Sequence, residues 1–102
     1  MDNMVTNTEY GIVPYHDYDP LKNAITAILE CFYFDNNDTE TRDTIVQVIT
    51  PLVRHFEKKY DIGKYTVICN DTNNPPFVRD LNMLVLDLYA YDRLIKFQIG
   101  PE

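Results

Sequence analysis

The stretch ICNDTNNPPFVRDLNMLVLDLY, residues 68–89, decides how this chain folds, because a polar turn with two prolines separates two apolar segments. The segment before the turn, YTVICN at 65–70, alternates along its length and predicts a strand. The segment after it, NMLVLDLYAY at 82–91, predicts a longer strand, and LIKFQI at 94–99 predicts a third strand or a C-terminal arm. Because side chains alternate between the two faces of a strand, each predicted strand has one set of residues on a common face. These are Tyr65, Val67 and Cys69 in the first strand, and Leu84, Leu86 and Leu88 in the second.

Two helices are predicted upstream of the turn. Residues 20–33 carry apolar side chains at helical spacing and predict a helix with one buried face. A second helix should begin after Asn37, an N-cap candidate with Glu40 three residues later, and should continue to about Tyr60. Pro51 lies inside this helix and should bend it without ending it.

This order of elements predicts an α+β fold, in which two helices pack on a small antiparallel sheet of three or so strands, with extended N- and C-terminal arms. Residues 1–19 would be the N-terminal arm, with a short strand around 10–13; residues 20–91 would be the domain; residues 92–102 would be the C-terminal strand or arm. Because few charges protect the sheet edges, we expect a neighbouring chain to add a strand there. The residues expected at this interface are Tyr10, Ile12, Val13, Leu94, Ile95, Phe97 and Ile99.

Composition limits the classes of partner. The 102 residues suit one domain, and a formal net charge of −7 argues against a nucleic acid or an anionic membrane as partner. The N-terminus lacks the pattern of a secretory signal, and no apolar run approaches the length of a membrane span. Two cysteines, Cys31 and Cys69, form at most one bridge, and a reduced, intracellular chain is the simpler interpretation.

No residue set predicts catalysis, a metal or a cofactor, so we do not expect an enzyme. His16 near Asp17 or Asp19 is the one candidate for a metal or acid–base site, with a solvated surface as the favoured alternative, and His55 is expected on a helix surface. The acidic pairs lack the glycine and terminal glutamate of a calcium loop. With three glycines in the chain, a phosphate-binding loop is also unsupported.

Two features leave alternative interpretations open. Asp87 interrupts an apolar strand. One interpretation is an ion pair with an arginine, across the sheet or across a subunit contact, and Arg42 is the candidate partner. The other interpretation is that Asp87 lies on a solvated face of the strand. Tyrosines in the arm and on the strand either form an interface or pack in the core or its rim. They are Tyr10, Tyr15, Tyr18, Tyr89 and Tyr91.

Residues 21–99 resemble the C-terminal domain of contractile-tail sheath proteins of phages and related injection machines. The most specific part is CNDTNNPP, followed by an apolar strand with a central aspartate. The chain departs from the family pattern at Asn70, where aspartate is usual, and at Tyr91 and Asp92, where a Lys-Pro pair is frequent. The residues that carry the resemblance are Phe34, Asn37, Asp38, Thr41, Arg42, Val67, Cys69, Thr72, Asn73, Asn74, Pro75, Leu84, Val85, Asp87 and Tyr89.

The resemblance implies a domain that lies next to the tail tube and whose sheet is completed by arms of neighbouring subunits. We expect the polar loop to fix the entry of the long strand into this shared sheet. Its residues are Asn70, Asp71, Thr72, Asn73, Asn74, Pro75 and Pro76.

The expected function is structural. A free-standing inner domain would begin or end the sheath lattice, so we expect a sheath-initiator-like baseplate protein that forms a homo-oligomeric ring. Its partners would be tail sheath subunits and tail tube or baseplate proteins, with assembly in the host cytoplasm and a final place in the virion tail. A tail terminator or collar component is the first alternative, since a Glu-Pro-Arg sequence frequent in initiators is absent. A small intracellular adaptor domain is the second.

Overall fold

A four-stranded antiparallel sheet with helices against one face is the architecture of the computed structural model, which describes residues 3–11, 19–32, 35–60, 63–90 and 93–101. The strand order is β1-β4-β3-β2. The elements in chain order are β1 (Asn3–Gly11), α1 (Asp19–Glu30), α2 (Thr39–Tyr60), β2 (Thr66–Ile68), α3 (Pro76–Asp80), β3 (Leu84–Ala90) and β4 (Arg93–Pro101). The predicted α+β class with a small antiparallel sheet of three or so strands is confirmed, and the short helix α3 was not predicted.

The core lies between the two long helices and the inward row of the sheet. Each helix buries residues four positions apart, because this spacing keeps side chains on one face. Alternate residues of β3 and β4 complete the core, as the period of two requires. The core residues on these four elements are Leu21, Ile25 and Leu29 on α1; Ile45, Ile49 and Val53 on α2; Leu84, Leu86 and Leu88 on β3; and Ile95, Phe97 and Ile99 on β4. Tyr65 and Cys69, on either side of β2, also belong to the core.

The start of α2 differs from the sequence prediction. Asp38, not Asn37, caps the helix: its Oδ1 accepts a hydrogen bond from the Thr41 N–H at 2.8 Å, and its carbonyl accepts one from the Arg42 N–H at 3.0 Å. Asn37 does not cap the helix, because its side-chain amide donates hydrogen bonds to Asn74 and to the Met83 carbonyl instead. The helix continues through Pro51, whose side chain is exposed.

The cap predicts a pH-dependent contribution to stability. The hydrogen bond from the Thr41 N–H holds the pKa of Asp38 below its usual value of 3.8. A carboxylate whose pKa is lower in the folded state stabilises the fold above its unfolded pKa and loses this effect as the pH falls through the folded value. Asp38→Ala should therefore lower the melting temperature at pH 7, and the difference from wild type should shrink below the usual carboxyl pKa.

The matched control for this cap is Asp35→Ala, which removes an exposed carboxylate from the same turn. Thermal unfolding followed by circular dichroism between pH 7 and acid pH measures both variants. An Asp38→Ala deficit that stays constant across this range would contradict a role for the ionised carboxylate.

The N-terminal arm forms a longer strand than predicted. All nine residues of β1 pair antiparallel with β4 of the same chain, from Asn3 opposite Pro101 to Gly11 opposite Arg93. Sequence analysis placed a short strand at 10–13 and missed residues 3–9, because this part of the arm has few apolar residues. The predicted strand residues Ile12 and Val13 lie outside the described residues, and the domain limits at 19/20 and 91/92 stay predictions.

The position of β4 corrects the prediction of an open C-terminal edge. This strand lies inside the sheet, with β1 on one side and β3 on the other. Strand addition to it therefore requires β1 to leave first. The affected residues are Leu94, Ile95, Phe97 and Ile99, whose interface role stays a prediction.

Candidate functional site

The loop between β2 and α3 is closed by its own amide side chains. Asn70 Oδ1 accepts a hydrogen bond from the Thr72 N–H at 2.9 Å, and Asn73 Oδ1 accepts one from the Asn70 N–H at 3.0 Å. The Asn74 N–H donates to the Asn70 carbonyl at 3.0 Å. Asparagine side chains favour such turns because they copy the hydrogen bonds of a peptide group. These hydrogen bonds therefore fix the conformation of the loop.

Asn74 substitutes for a strand residue beside β3. Its side chain is fully buried; Oδ1 accepts from the Val85 N–H at 2.7 Å and Nδ2 donates to the Val85 carbonyl at 2.8 Å. The β2–β3 ladder ends where Ile68 faces Asp87, so Val85 lacks a main-chain partner on that side. The Asn74 amide supplies both hydrogen bonds, and the β2 side of β3 is closed at Val85.

Asn37 connects this loop to the start of α2. Its Nδ2 donates to Asn74 Oδ1 at 3.0 Å and to the Met83 carbonyl at 2.7 Å. Its Oδ1 accepts from Arg42 Nη1 at 2.6 Å. Through this one side chain, the helix start, the loop and the entry to β3 share a single hydrogen-bond network. The sequence indicates only that Asn37 is a cap candidate, so this role was missed.

Arg42 is a buried cation at the centre of the network, with 2% exposure. Besides Asn37, Nη2 donates to Thr39 Oγ1 at 3.2 Å and to Asp71 Oδ1 at 2.6 Å. Asp71 itself is 80% exposed. Since buried charges need donors and acceptors matched, this arrangement accounts for an arginine in the first turns of an amphipathic helix.

The predicted ion pair between Asp87 and Arg42 is corrected, because each residue has a different partner. Asp87 Oδ1 lies 3.2 Å from Lys96 Nζ, and Oδ2 accepts a hydrogen bond from Asn73 Nδ2 at 3.2 Å. Lys96 directly faces Asp87 in the register of β3 and β4. Asp87 is buried at 3% exposure, so the solvated interpretation is wrong and the ion pair runs across the sheet within the chain.

The two cysteines are free thiols, Cys31 exposed and Cys69 buried. Burial raises the pKa of Cys69 to about 12, which keeps it protonated at neutral pH and disfavours nucleophilic chemistry. Across the described ranges, no three His, Cys, Asp or Glu side chains come close enough to hold a metal ion. His55 lies exposed on α2 with its ring perpendicular to that of Phe56, while His16 lies outside the described residues. In the same ranges, no helix has the length and apolar character to cross a bilayer.

Several large apolar and aromatic side chains of the described residues are exposed. Tyr10 and Tyr89 flank Leu94 across three neighbouring strands on the sheet face away from the core, and they are 52% and 41% exposed. On α3, which sequence analysis missed, Phe77 and Leu81 are 67% and 59% exposed. Tyrosine at an exposed position supplies contact area with a polar tip. These exposed side chains are candidate contact positions beside the polar network.

Comparison with known proteins links the chain to one class. It is similar to the tail sheath protein of Vibrio phage KVP40 (isolate Vibrio parahaemolyticus/Japan/Matsuzaki/1991), with 29% identity over 73 residues. The aligned part is 72% of this chain and 11% of that protein, so the chain spans a small fraction of its relative's length. No protein-family model and no solved structure matches the chain.

Proposed function

We propose that this chain is a structural component of a contractile phage tail, or of a related injection machine, and that it joins the sheath lattice by strand exchange between subunits. The observation that carries the proposal is the similarity to a tail sheath protein over most of the chain. The sheet supports it, because it has a strand that another chain can replace. Catalysis is not part of the proposed role.

The replaceable strand is β1. Its contact with the rest of the fold is mainly the backbone ladder with β4, and among its described side chains only Val5 is half-buried. Those of Met4, Thr6, Asn7, Thr8 and Tyr10 are exposed. Leaving β4 therefore costs β1 little apolar burial, and an equivalent strand from a neighbour restores the hydrogen bonds. When β1 leaves, β4 becomes the edge that the sequence predicts.

A disulfide lock tests strand exchange. Thr6 and Gln98 face each other across β1 and β4, at a separation of paired residues that suits a disulfide. A chain with Thr6→Cys and Gln98→Cys, in a Cys31→Ser background, should fail to cosediment with sheath subunits of the same tail when oxidised. Reduction of the same sample should restore cosedimentation, which makes the reduced form the matched control. Equal incorporation of both forms would contradict exchange of β1.

The finer position we propose is at the baseplate, as a sheath-initiator-like ring whose partners are sheath subunits and tube or baseplate proteins. Such a subunit must offer strand-pairing positions to the first sheath layer, and β4 provides them once β1 leaves. Cryo-electron microscopy of the tail particle tests this position: density beside the baseplate end of the sheath is the expected result. Density at the head end would instead favour the terminator or collar alternative, and absence from the particle would favour an intracellular adaptor.

A further inference from the structure

The opposite edge of the sheet carries a second candidate site, formed by β2 and α2. Tyr65, just before β2, has both main-chain groups bonded by α2 side chains: its N–H donates to Glu57 Oε2 at 2.6 Å and its carbonyl accepts from Arg54 Nη1 at 2.8 Å. Because main-chain groups of an extended strand alternate in direction, those of Val67 also point away from β3. The edge of β2 is thus open at Val67.

The register of β3 independently indicates that the main-chain groups of Val67 point away from β3. Val85 directs its N–H and carbonyl towards the β2 side, where Asn74 binds them, so Asp87, two residues on, directs its own groups to Ile68. Ile68 therefore pairs with β3 and its neighbour Val67 does not. Over the described part of the chain, no hydrogen bond to the Val67 main chain is found. One unused donor and one unused acceptor remain at this edge.

A groove runs beside this edge, with a volume of about 320 Å³. One wall is the side of α2 and the other is β2 with the start of the polar loop. Apolar side chains and the open main chain thus lie next to each other, a combination that suits an extended peptide. The lining residues are Asp43, Val46 and Gln47 on α2, and Val67, Ile68, Cys69 and Asn70.

The charges near the groove indicate which kind of segment binds there. Asp43 lies exposed at the groove, and the chain carries a formal net charge of −7. β4 of a second copy carries Arg93 and Lys96 but is already paired on both sides, so a second copy would offer β1, whose sequence NMVTNTEYG contains an acidic residue and no lysine or arginine. Like charges disfavour this pairing, whereas a basic segment is attracted. The occupant is therefore another protein.

We infer that this groove binds an extended segment of another protein, in which apolar residues alternate and a lysine or arginine lies beside them, as a short added strand on β2. The site goes beyond the proposed exchange of β1, which concerns the other edge of the sheet. Asn74 limits the added strand, since it occupies the main-chain positions of β3 beyond the end of β2.

Nuclear magnetic resonance of the ¹⁵N-labelled full chain tests this site. In the free chain, the Val67 amide should exchange with solvent faster than the Ile68 amide. The probe is a capped synthetic octapeptide of alternating valine and threonine with a lysine at each end. It should shift the Val67 resonance and slow its exchange. Two isomers, each N-methylated at one alternate set of peptide bonds, serve as matched probes, and one should bind about tenfold more weakly because its donors towards β2 are lost.

Two variants sharpen the test. Val67→Pro removes the outward N–H, and proline is accepted at strand edges, so peptide binding should be lost while folding is kept. Asp43→Asn should weaken binding of the lysine peptide and leave a glutamine-substituted peptide unaffected. If Val67→Pro fails to fold, the two N-methylated isomers decide the question on the unaltered chain.

Three results would overturn the inference: equal binding of both isomers, a Val67 amide as protected as Ile68 in the free chain, or wild-type binding by Val67→Pro. Dimerisation through this edge instead of peptide binding would overturn the choice of another protein. None of these results depends on sheath subunits, so failure here is distinguishable from failure of the proposed function.

Discussion

Replacing Asn74 with alanine should lower the free energy of unfolding by about 4 kcal/mol, because the substitution leaves several buried polar groups without partners. The Val85 N–H and carbonyl lose both of their hydrogen bonds on that side, and Asn37 loses an acceptor. Water cannot readily replace a fully buried amide, so the cost of desolvating these groups remains. Urea unfolding followed by circular dichroism measures the loss.

Two further substitutions separate the effect of Asn74 from that of the loop in general. Asn74→Asp keeps the shape and the acceptors but places a carboxylate against the Val85 and Asn70 carbonyls, so it should be comparably destabilising at neutral pH. Thr72→Ala changes an exposed residue of the same loop and should cost less than about 0.5 kcal/mol. Equal effects of Asn74→Ala and Thr72→Ala would show that the buried amide does not hold β3.

Replacing Arg42 with methionine should cost about 3 kcal/mol, because it removes a buried guanidinium and leaves partly buried oxygen atoms of Asn37 and Thr39 without that donor. Arg42→Lys should recover only part of this loss, since an ammonium group lacks the planar fork that reaches both sides of the network. Denaturant unfolding again gives the values. The prediction attributes the effect to neutral acceptors rather than to the ion pair with Asp71.

Asp71→Asn is the control that separates these two sources. Because Asp71 is 80% exposed, its ion pair with Arg42 is screened by solvent and should contribute less than about 1 kcal/mol. A loss at Asp71→Asn that equals the loss at Arg42→Met would place the stabilisation in the ion pair and contradict the network. A small loss, with a large one at Arg42, is the expected result.

The sequence predicts the elements that bury a regular face. The helical spacing of Ile45, Ile49 and Val53 and the alternation of Leu84, Leu86 and Leu88 both lead to the observed core, because burial requires these periods. The short helix α3 was missed, since two prolines and a five-residue length give no periodic signal. The strand of the N-terminal arm was predicted at 10–13, whereas β1 spans Asn3–Gly11. Backbone pairing holds this strand, and backbone pairing does not require a pattern of apolar residues.

The polar network shows more clearly which contacts the sequence alone does not predict. That asparagines fix the loop follows from their chemistry, but the contact between Arg42 and Asp71, 29 positions apart, depends on how α2 packs beside the loop. The partner of Asp87 likewise depends on strand register. The register that pairs Ala90 with Arg93 also places Lys96 opposite Asp87, and a shift of one residue would place a different side chain opposite Asp87. Sequence patterns specify faces, whereas partners across faces are set by tertiary geometry.

The pairing of β1 with β4 also favours one order of folding. β3 and β4 follow each other in the sequence and pair from Ala90 opposite Arg93, whereas the ladder of β1 brings Asn3 to Pro101. Closing the longer loop costs more conformational entropy, so the hairpin and its helices can form before β1 arrives. In this order of folding, the docking of one weakly buried segment comes late, and its reversal is an opening of low cost among the described elements.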